Sequence, residues 1–435
     1  MMPKKATLLI KNAGQLVTMA GPVPRVGSSM NDLAIIEYGG LAAASDEILA
    51  VGKSDEIEGK AALAEGCTVI DAAGAVVTPG LIDPHTHPVF ARYRQNEFEM
   101  RVQGRSYMEI ANSGGGIRSS VRDLRETSQD ALTEMTRHRL DRLLSYGVTT
   151  IEAKSGYGLS TEAEIKQLEV IQRLQASHPI DLVPTFLGAH EVPDEYREKR
   201  DDYIDLVVNE MIPLVAERGL AEYSDIFCED GVYGVEESRR IQTAAKKAGM
   251  GLRFHADELA SVGGAELAAE LGARTADHLV YASDAGIKAM AKAGTVAVLL
   301  PGTTFSLGGK TYARGRQMID QGVIVALSTD CNPGSSCTES LPFMTTLALL
   351  QLKLTTAEAL SAITVNAAYS LDRGDKIGRL QAGLAADLIV WDMADYRELP
   401  YHYAVNLVRT VVKGGKLVVG RSGEGNVRAR REFKN

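Results

Sequence analysis

The sequence predicts an α/β fold: a (β/α)8 TIM-type barrel with a small β-sandwich domain formed from both chain ends. Three observations carry this expectation. Eight short apolar runs, separated mostly by helical patterns, fill the middle of the 435-residue chain; such alternation implies a parallel sheet, and eight parallel strands close a barrel. Both ends of the chain are instead rich in short strand patterns and turns. Polar residues collect at the ends of the apolar runs, which is where barrel enzymes carry their sites.

Residues 1–75 are expected to form the N-terminal part of the small β domain, with strands at 7–10, 32–37, 47–51 and 68–71, Gly-rich breaks between them and a short helical pattern at 56–64. Residues 76–371 form the barrel. Its strands are expected at 81–82, 148–153, 181–187, 225–228, 251–254, 275–277, 295–300 and 323–328. Between them, 162–174, 236–248, 265–271 and 284–293 carry apolar residues at helical spacing. No Gly-x-Gly-x-x-Gly follows a strand, which argues against an open dinucleotide-binding sheet, and Gly114-Gly-Gly116 reads as a loop. Residues 372–435 complete the small domain: 387–391 and 408–412 are β-rich, and Lys413-Gly-Gly415 reads as a hairpin turn.

Composition narrows the partners. A net charge of −9 argues against nucleic acid or an anionic membrane. Four cysteines (Cys67, Cys228, Cys331, Cys337) without zinc-ribbon or disulfide spacing predict a reducing, cytoplasmic setting. The opening residues hold only a short apolar run, cut off by Lys11, so no signal peptide is expected, and no run approaches a membrane span.

The most informative stretch is Thr78-Pro-Gly-Leu-Ile-Asp-Pro-His-Thr-His87. If the run is a strand, alternation puts His85 and His87 on one face at its end, where two imidazoles can share a divalent metal. His255 closes the fifth run and Asp330 the eighth, completing a donor set of three imidazoles and one carboxylate that suits zinc, iron or manganese. Water on such a metal has its pKa lowered toward ~7, so metal-activated hydrolysis is the expected chemistry. Asp330 is also a candidate proton acceptor, and His278, closing the sixth run, a candidate acid or base. Tyr157 and His190 follow the second and third runs. His138, His178 and His402 fall outside this pattern and are expected to be structural.

This arrangement resembles the amidohydrolase superfamily. Many of its binuclear members place a carboxylated lysine at the fourth strand; here that run ends in Cys228-Glu229, so one metal ion, zinc or iron, is expected, with Lys154 a paired structural charge. Within the superfamily the chain is similar to the imidazolonepropionases. The resemblance rests on Asp83-Pro-His-Thr-His87, Tyr107-Met-Glu-Ile110, Gly114-Gly-Gly-Ile117, Lys154-Ser-Gly-Tyr-Gly158, Phe186-Leu-Gly-Ala-His190, His255-Ala-Asp-Glu258, Ala276-Asp-His278, Asn332-Pro-Gly-Ser-Ser336 and Glu398-Leu-Pro-Tyr401. It implies hydrolysis of 4-imidazolone-5-propanoate to N-formimidoyl-L-glutamate in a homodimer, with metal ligands His85, His87, His255 and Asp330. It further implies catalytic roles for His278, Glu258, Asp330 and His190, the last aiding the oxyanion. Arg94, Tyr157, His190, Glu258, Asn332, Gly334 and Ser335 would bind substrate, Arg94 through its carboxylate. The family commonly has Phe where this chain has Cys331, and a more Gly-rich segment where it has Pro88-Val-Phe-Ala-Arg-Tyr-Arg94. The alternatives are a related mononuclear amidohydrolase or deaminase acting on another small heterocycle, which would not need Arg94, and a non-catalytic scaffold, which would have lost ligands.

Overall fold

The computed structural model describes residues 4–105, 109 and 114–420. Of the Tyr107–Ile110 motif only Glu109 lies within them, and residues 421–435 lie outside.

The barrel strands are β6 (Leu81–Asp83), β7 (Val148–Lys154), β8 (Asp181–Ala189), β9 (Tyr223–Cys228), β10 (Gly251–Ala256), β11 (Thr275–His278), β12 (Val296–Leu299) and β13 (Val325–Leu327). They pair in that order, all parallel. Every predicted barrel run is a strand. Between β13 and β6 the ring closes through a parallel bridge of Thr86 with Cys331 and through buried Asp83. Its carboxylate accepts from Thr329 N at 3.0 Å, from Thr329 Oγ1 at 2.6 Å and from Ser328 Oγ. Ile82, Val183, Tyr223, Val296, Val298 and Ala326 pack together inside the ring, and the catalytic end is left to polar side chains.

Helices clothe the ring: Thr161–Gln175, Val235–Lys247, Gly264–Leu271 and Asp284–Ala293 stand where the apolar spacing called for them, and Gln129–Ser145 adds to the predicted set. Gln129–Ser145, Thr161–Gln175 and Asp284–Ala293 each begin at a serine whose hydroxyl accepts from a first-turn amide: Ser128, Ser160 and Ser283. No helix among the described residues is long and apolar enough to cross a membrane.

The two chain ends share one branched sheet. β1 (Ala6–Val17) pairs along one edge with β2 (Ile35–Ala44), and β2 with β3 (Glu47–Lys53). Along its other edge β1 pairs first with β4 (Leu63–Asp71) and then with β5 (Val76–Pro79). β5 continues into β14 (Leu388–Trp391), β15 (Val408–Lys413) and β16 (Lys416–Val419). Leu8, Ile10, Leu16, Leu41 and Ile48 from the first end pack against Leu388, Val390 and Val412 from the last. The one tryptophan, Trp391, is fully buried and donates Nε1–H to Thr78 Oγ1 at 2.9 Å, tying the ends together.

Strands here run longer than predicted, and β4 (Leu63–Asp71) begins inside the segment 56–64 expected to be helical, where the helix spans Ser54–Lys60. β1 continues past Ile10 because an irregularity between Ile10 and Ala13 resets its register, and β2 runs through Gly39-Gly40. That glycine pair is a close approach rather than a break: a Cβ on Gly39 would stand 2.5 Å from Leu16 Cβ.

Candidate metal centre and active site

Three strand ends bring the predicted donors together. His85 and His87 follow β6, His255 lies in β10, Asp330 follows β13, and all four are buried. His255 Nε2 stands 3.3 Å from His87 Nε2, and Asp330 Oδ1 stands 3.5 Å from both His85 Nε2 and His87 Nε2. Tetrahedral ligands about 2.0–2.1 Å from a metal lie roughly 3.3–3.4 Å from one another, so the donors already have the spacing of a shell. His85 Nδ1 donates to Asp277 Oδ2 at 2.6 Å, which leaves Nε2 a lone pair, buried and without a hydrogen-bond partner. Buried acceptors facing one another are unfavourable unless a cation lies between them. Burial and surrounding positive charge hold His85, His87 and His278 well below the usual imidazole range, hence in the neutral, metal-binding form. The residues present fit a metal ion.

His278 is closer than its predicted place outside the shell suggests. One ligand atom each from His85, His278 and Asp330 fall within 4.8 Å of one another. His278 (φ +72°) and Asp330 (φ +53°) both hold left-handed backbone, a conformation uncommon for L residues other than Asn, Asp and His. Asp330 is steadied by Thr303, whose Oγ1 donates to Oδ2 at 2.6 Å.

Beneath the ligands lies a buried ionic layer. Asp225 Oδ2 stands 3.1 Å from His255 Nδ1 and 2.6 Å from Lys154 Nζ, and Lys154 also meets Glu152 Oε1 at 2.8 Å. Burial pushes the Asp225 carboxyl up, but Lys154 and His255 overcome it and carry it well below its ordinary value. Arg253 Nη2 lies 3.9 Å from Asp277. Asp277 and Asp225 therefore orient two ligand imidazoles, and Lys154 and Arg253 balance them. Replacing Asp277→Asn should weaken metal binding about 10- to 100-fold, the usual effect of losing a partner behind a ligand histidine. Competition with a chromophoric chelator measures this; unchanged affinity would show that His85 needs no brace.

Above the metal donors a cavity of about 90 Å³ is lined by His87, Arg94, Tyr157, His190, Glu258 and His278, with Asp330, Asn332, Gly334 and Ser335 also on its wall. Every predicted substrate-binding residue thus reaches one cavity. Arg92 is exposed and lies 3.6 Å from Asp123. Arg94 donates Nε and Nη2 to Glu97 Oε2, at 2.9 and 2.6 Å. His190 Nδ1 donates to the Gly156 carbonyl at 2.9 Å, and burial, with His255 nearby, brings its pKa down to about 3. The neutral ring then presents Nε2 as an acceptor, so His190 does not have the donor that an oxyanion role requires. Glu258 Oε2 stands 3.6 Å from His278 Nε2, and burial, with Asp330 and Glu229 nearby, drives its carboxyl well above the usual range. The Asn332 amide holds its own loop: Oδ1 accepts from Gly334 N and Ser335 N, both at 2.8 Å, and Nδ2 donates to the Asp330 carbonyl at 2.7 Å.

The profile of the Amidohydrolase family matches residues 76–418. The imidazolonepropionase of Geobacillus kaustophilus is 52% identical over 416 residues, covering 95% of this chain and 98% of that protein. That of Bacillus velezensis is 49% identical over 422 residues, covering 97% and 99%. The chain belongs to the imidazolonepropionase branch of the amidohydrolase family.

Solved structures agree on the fold. An adenosine deaminase from Xanthomonas campestris with bound zinc superposes with a TM-score of 0.73 at 18% identity, covering 97% of this chain and 94% of that one. Escherichia coli guanine deaminase gives 0.71 at 16%, covering 95% and 99%. Amidohydrolases work with a metal, and this member has the donors for one. Glu229, at the end of β9, faces no metal donor: it accepts from the amides of Glu258 and Leu259 at 2.8 Å and of Ala260 at 3.0 Å, fixing the loop that carries Glu258. Sequence reasoning missed Asp225, Asp277, Thr303 and Arg101. Only Arg101 left a signal, in the spacing of Arg94, Glu97 and Arg101 along one helical face. His138, His178 and His402 do not line the cavity.

Proposed function

We propose that this cavity hydrolyses 4-imidazolone-5-propanoate to N-formimidoyl-L-glutamate, the ring-opening step of L-histidine degradation. The observation that carries the reading is the meeting of metal donors and the Arg94 guanidinium in one small cavity, in a chain about half identical to imidazolonepropionases over nearly its whole length. The deaminases share the fold at under 20% identity, which does not favour that alternative.

A zinc or iron ion held by His85, His87, His255 and Asp330 would activate water and polarise the ring carbonyl. A single ion is proposed because the carboxylates behind the shell are already balanced by Lys154 and Arg253. Arg94 holds the propanoate carboxylate, with the Tyr157 hydroxyl beside it. His190 Nε2 accepts from a ring N–H. As the water oxygen joins the carbonyl carbon, the Asp330 carboxylate takes the water's proton. Glu258, whose carboxyl burial drives well above its usual range, supplies a proton to the ring nitrogen as the amide C–N bond breaks, and His278 neighbours both carboxyls. Asn332, Gly334 and Ser335 shape the wall opposite. The former carbonyl becomes the α-carboxylate of the product.

All of these groups lie within 76–371, which we propose as the catalytic unit, with 1–75 and 372–435 as its β companion, whose sheet also takes in β5 (Val76–Pro79). We further propose a cytoplasmic homodimer: the family resemblance supports the dimer, which light scattering checks, and four free cysteines support the compartment.

The test is loss of the ultraviolet absorbance of freshly made imidazolone propanoate, with metal analysis on the same sample. Arg94→Ala should lower kcat/KM about 10- to 150-fold, the value of a hydrogen bond to a charged group. It should leave turnover of an imidazolone lacking the carboxylate nearly unchanged; equal slowing of both substrates would make Arg94 structural.

A further inference from the structure

We infer that Arg101 is a second binding residue for the substrate carboxylate, acting beside Arg94; the inference rests on the imidazolone-propanoate reading. Arg94 precedes the helix Gln95–Val102 and Arg101 lies in its last turn, seven residues on and hence on the same face. Their guanidiniums converge on Gly334. Arg101 Nη2 donates to the Gly334 carbonyl at 3.1 Å, and a Cβ on Gly334 would stand 2.3 Å from Arg94 Nη1. Both side chains line the metal cavity.

The two arginines differ in what they have left to offer. Arg94 directs Nε and Nη2 to Glu97, so its charge is matched and part of its fork is occupied. Glu97 is itself fixed, accepting from Gly116 N at 3.1 Å and Ser119 Oγ at 3.2 Å, so it cannot readily swing away. Arg101 makes no ion pair among the described residues, and its Nε is buried without a hydrogen-bond partner. A guanidinium without an ion pair at a cavity wall is suited to a carboxylate ligand. The charges give the same answer: Arg94 and Glu97 cancel, so an anion entering a chain of net charge −9 needs a further cation at that spot, and among the described residues lining the cavity Arg101 is that cation.

The experiment compares two competitive inhibitors, 3-(imidazol-4-yl)propanoate and 4-methylimidazole, on the metal-loaded enzyme. Arg101→Gln should raise KM for imidazolone propanoate and the inhibition constant of the propanoate about 10- to 100-fold, while kcat moves less than about threefold. The methylimidazole should bind as before. Arg101→Lys should recover part of the loss, because charge returns without the fork. In an Arg94→Ala background, Arg101→Gln should weaken the propanoate further. Equal weakening of both inhibitors, no weakening of either, or an effect that vanishes in the Arg94→Ala background would overturn the inference. If the wild-type enzyme fails to turn over imidazolone propanoate, the proposed function falls, and direct binding of the two imidazoles, measured by calorimetry on the metal-loaded protein, still decides the role of Arg101.

Discussion

Stripping the metal from the purified protein abolishes hydrolysis, and returning one equivalent of zinc or iron per chain restores it. The expectation follows from the donor atoms. His85 Nε2, His87 Nε2, His255 Nε2 and Asp330 Oδ1 stand 3.3–3.5 Å apart where measured, and His85 Nε2, whose proton-bearing nitrogen faces Asp277, has no hydrogen-bond partner. Their chemistry without a cation is mutual repulsion. Water left at its ordinary pKa is a poor nucleophile at neutral pH, and the metal's contribution of several kcal/mol corresponds to at least about 10³-fold in rate. His87→Ala and Asp330→Asn should each lose both metal and activity. A demonstrably metal-free sample with full activity would sink the assignment, and two ions per chain would show that Lys154 and Arg253 do not fill the second place.

The second large effect separates chemistry from metal holding. His278→Ala should lower kcat about 10²- to 10⁴-fold, the usual contribution of a positioned acid or base, while the protein keeps its metal. Glu258→Gln should fall in the same range, because an amide cannot hand a proton to the leaving nitrogen. The distances make metal content the critical reading. His278 lies within the same 4.8 Å group as His85 and Asp330, so geometry alone would admit it as a ligand. Its Nε2, however, also faces Glu258 at 3.6 Å. If His278→Ala empties the site of metal while His255→Ala keeps it, the shell has been drawn with the wrong imidazole.

The barrel was legible because each strand is a local run of apolar residues bounded by turn signals, and the helices show their own period. The candidate metal donors were legible because they stand at the ends of those runs. What escaped was set by register between distant strands. Asp277 meets His85 only because β11 and β6 stand on one ring, and nothing in Thr275-Ala-Asp-His278 says which of its two polar side chains faces the metal and which braces a ligand. Asp225 and Lys154 likewise pair across β7 and β9, strands separated by β8. The glycine pair in β2 misled for a related reason: a glycine read alone signals a turn, whereas here it makes room for Leu16 of the neighbouring strand. His190 was placed correctly at a strand end, but its hydrogen-bond polarity depends on the Gly156 carbonyl, which sequence spacing does not reveal.

The ring closes between its first strand and its last, and the metal donors straddle that seam. His85 N donates to Ser328 Oγ across 243 residues of chain. A ribosome adding about 5–20 residues per second needs roughly 12–50 s to make that stretch. Throughout that time the two histidines after β6 lack Asp330, and β6 remains an open edge that invites pairing with other chains. Metal capture therefore belongs to the end of synthesis. A nascent chain stalled before β13 would be both metal-free and prone to aggregate, however complete its first seven strands.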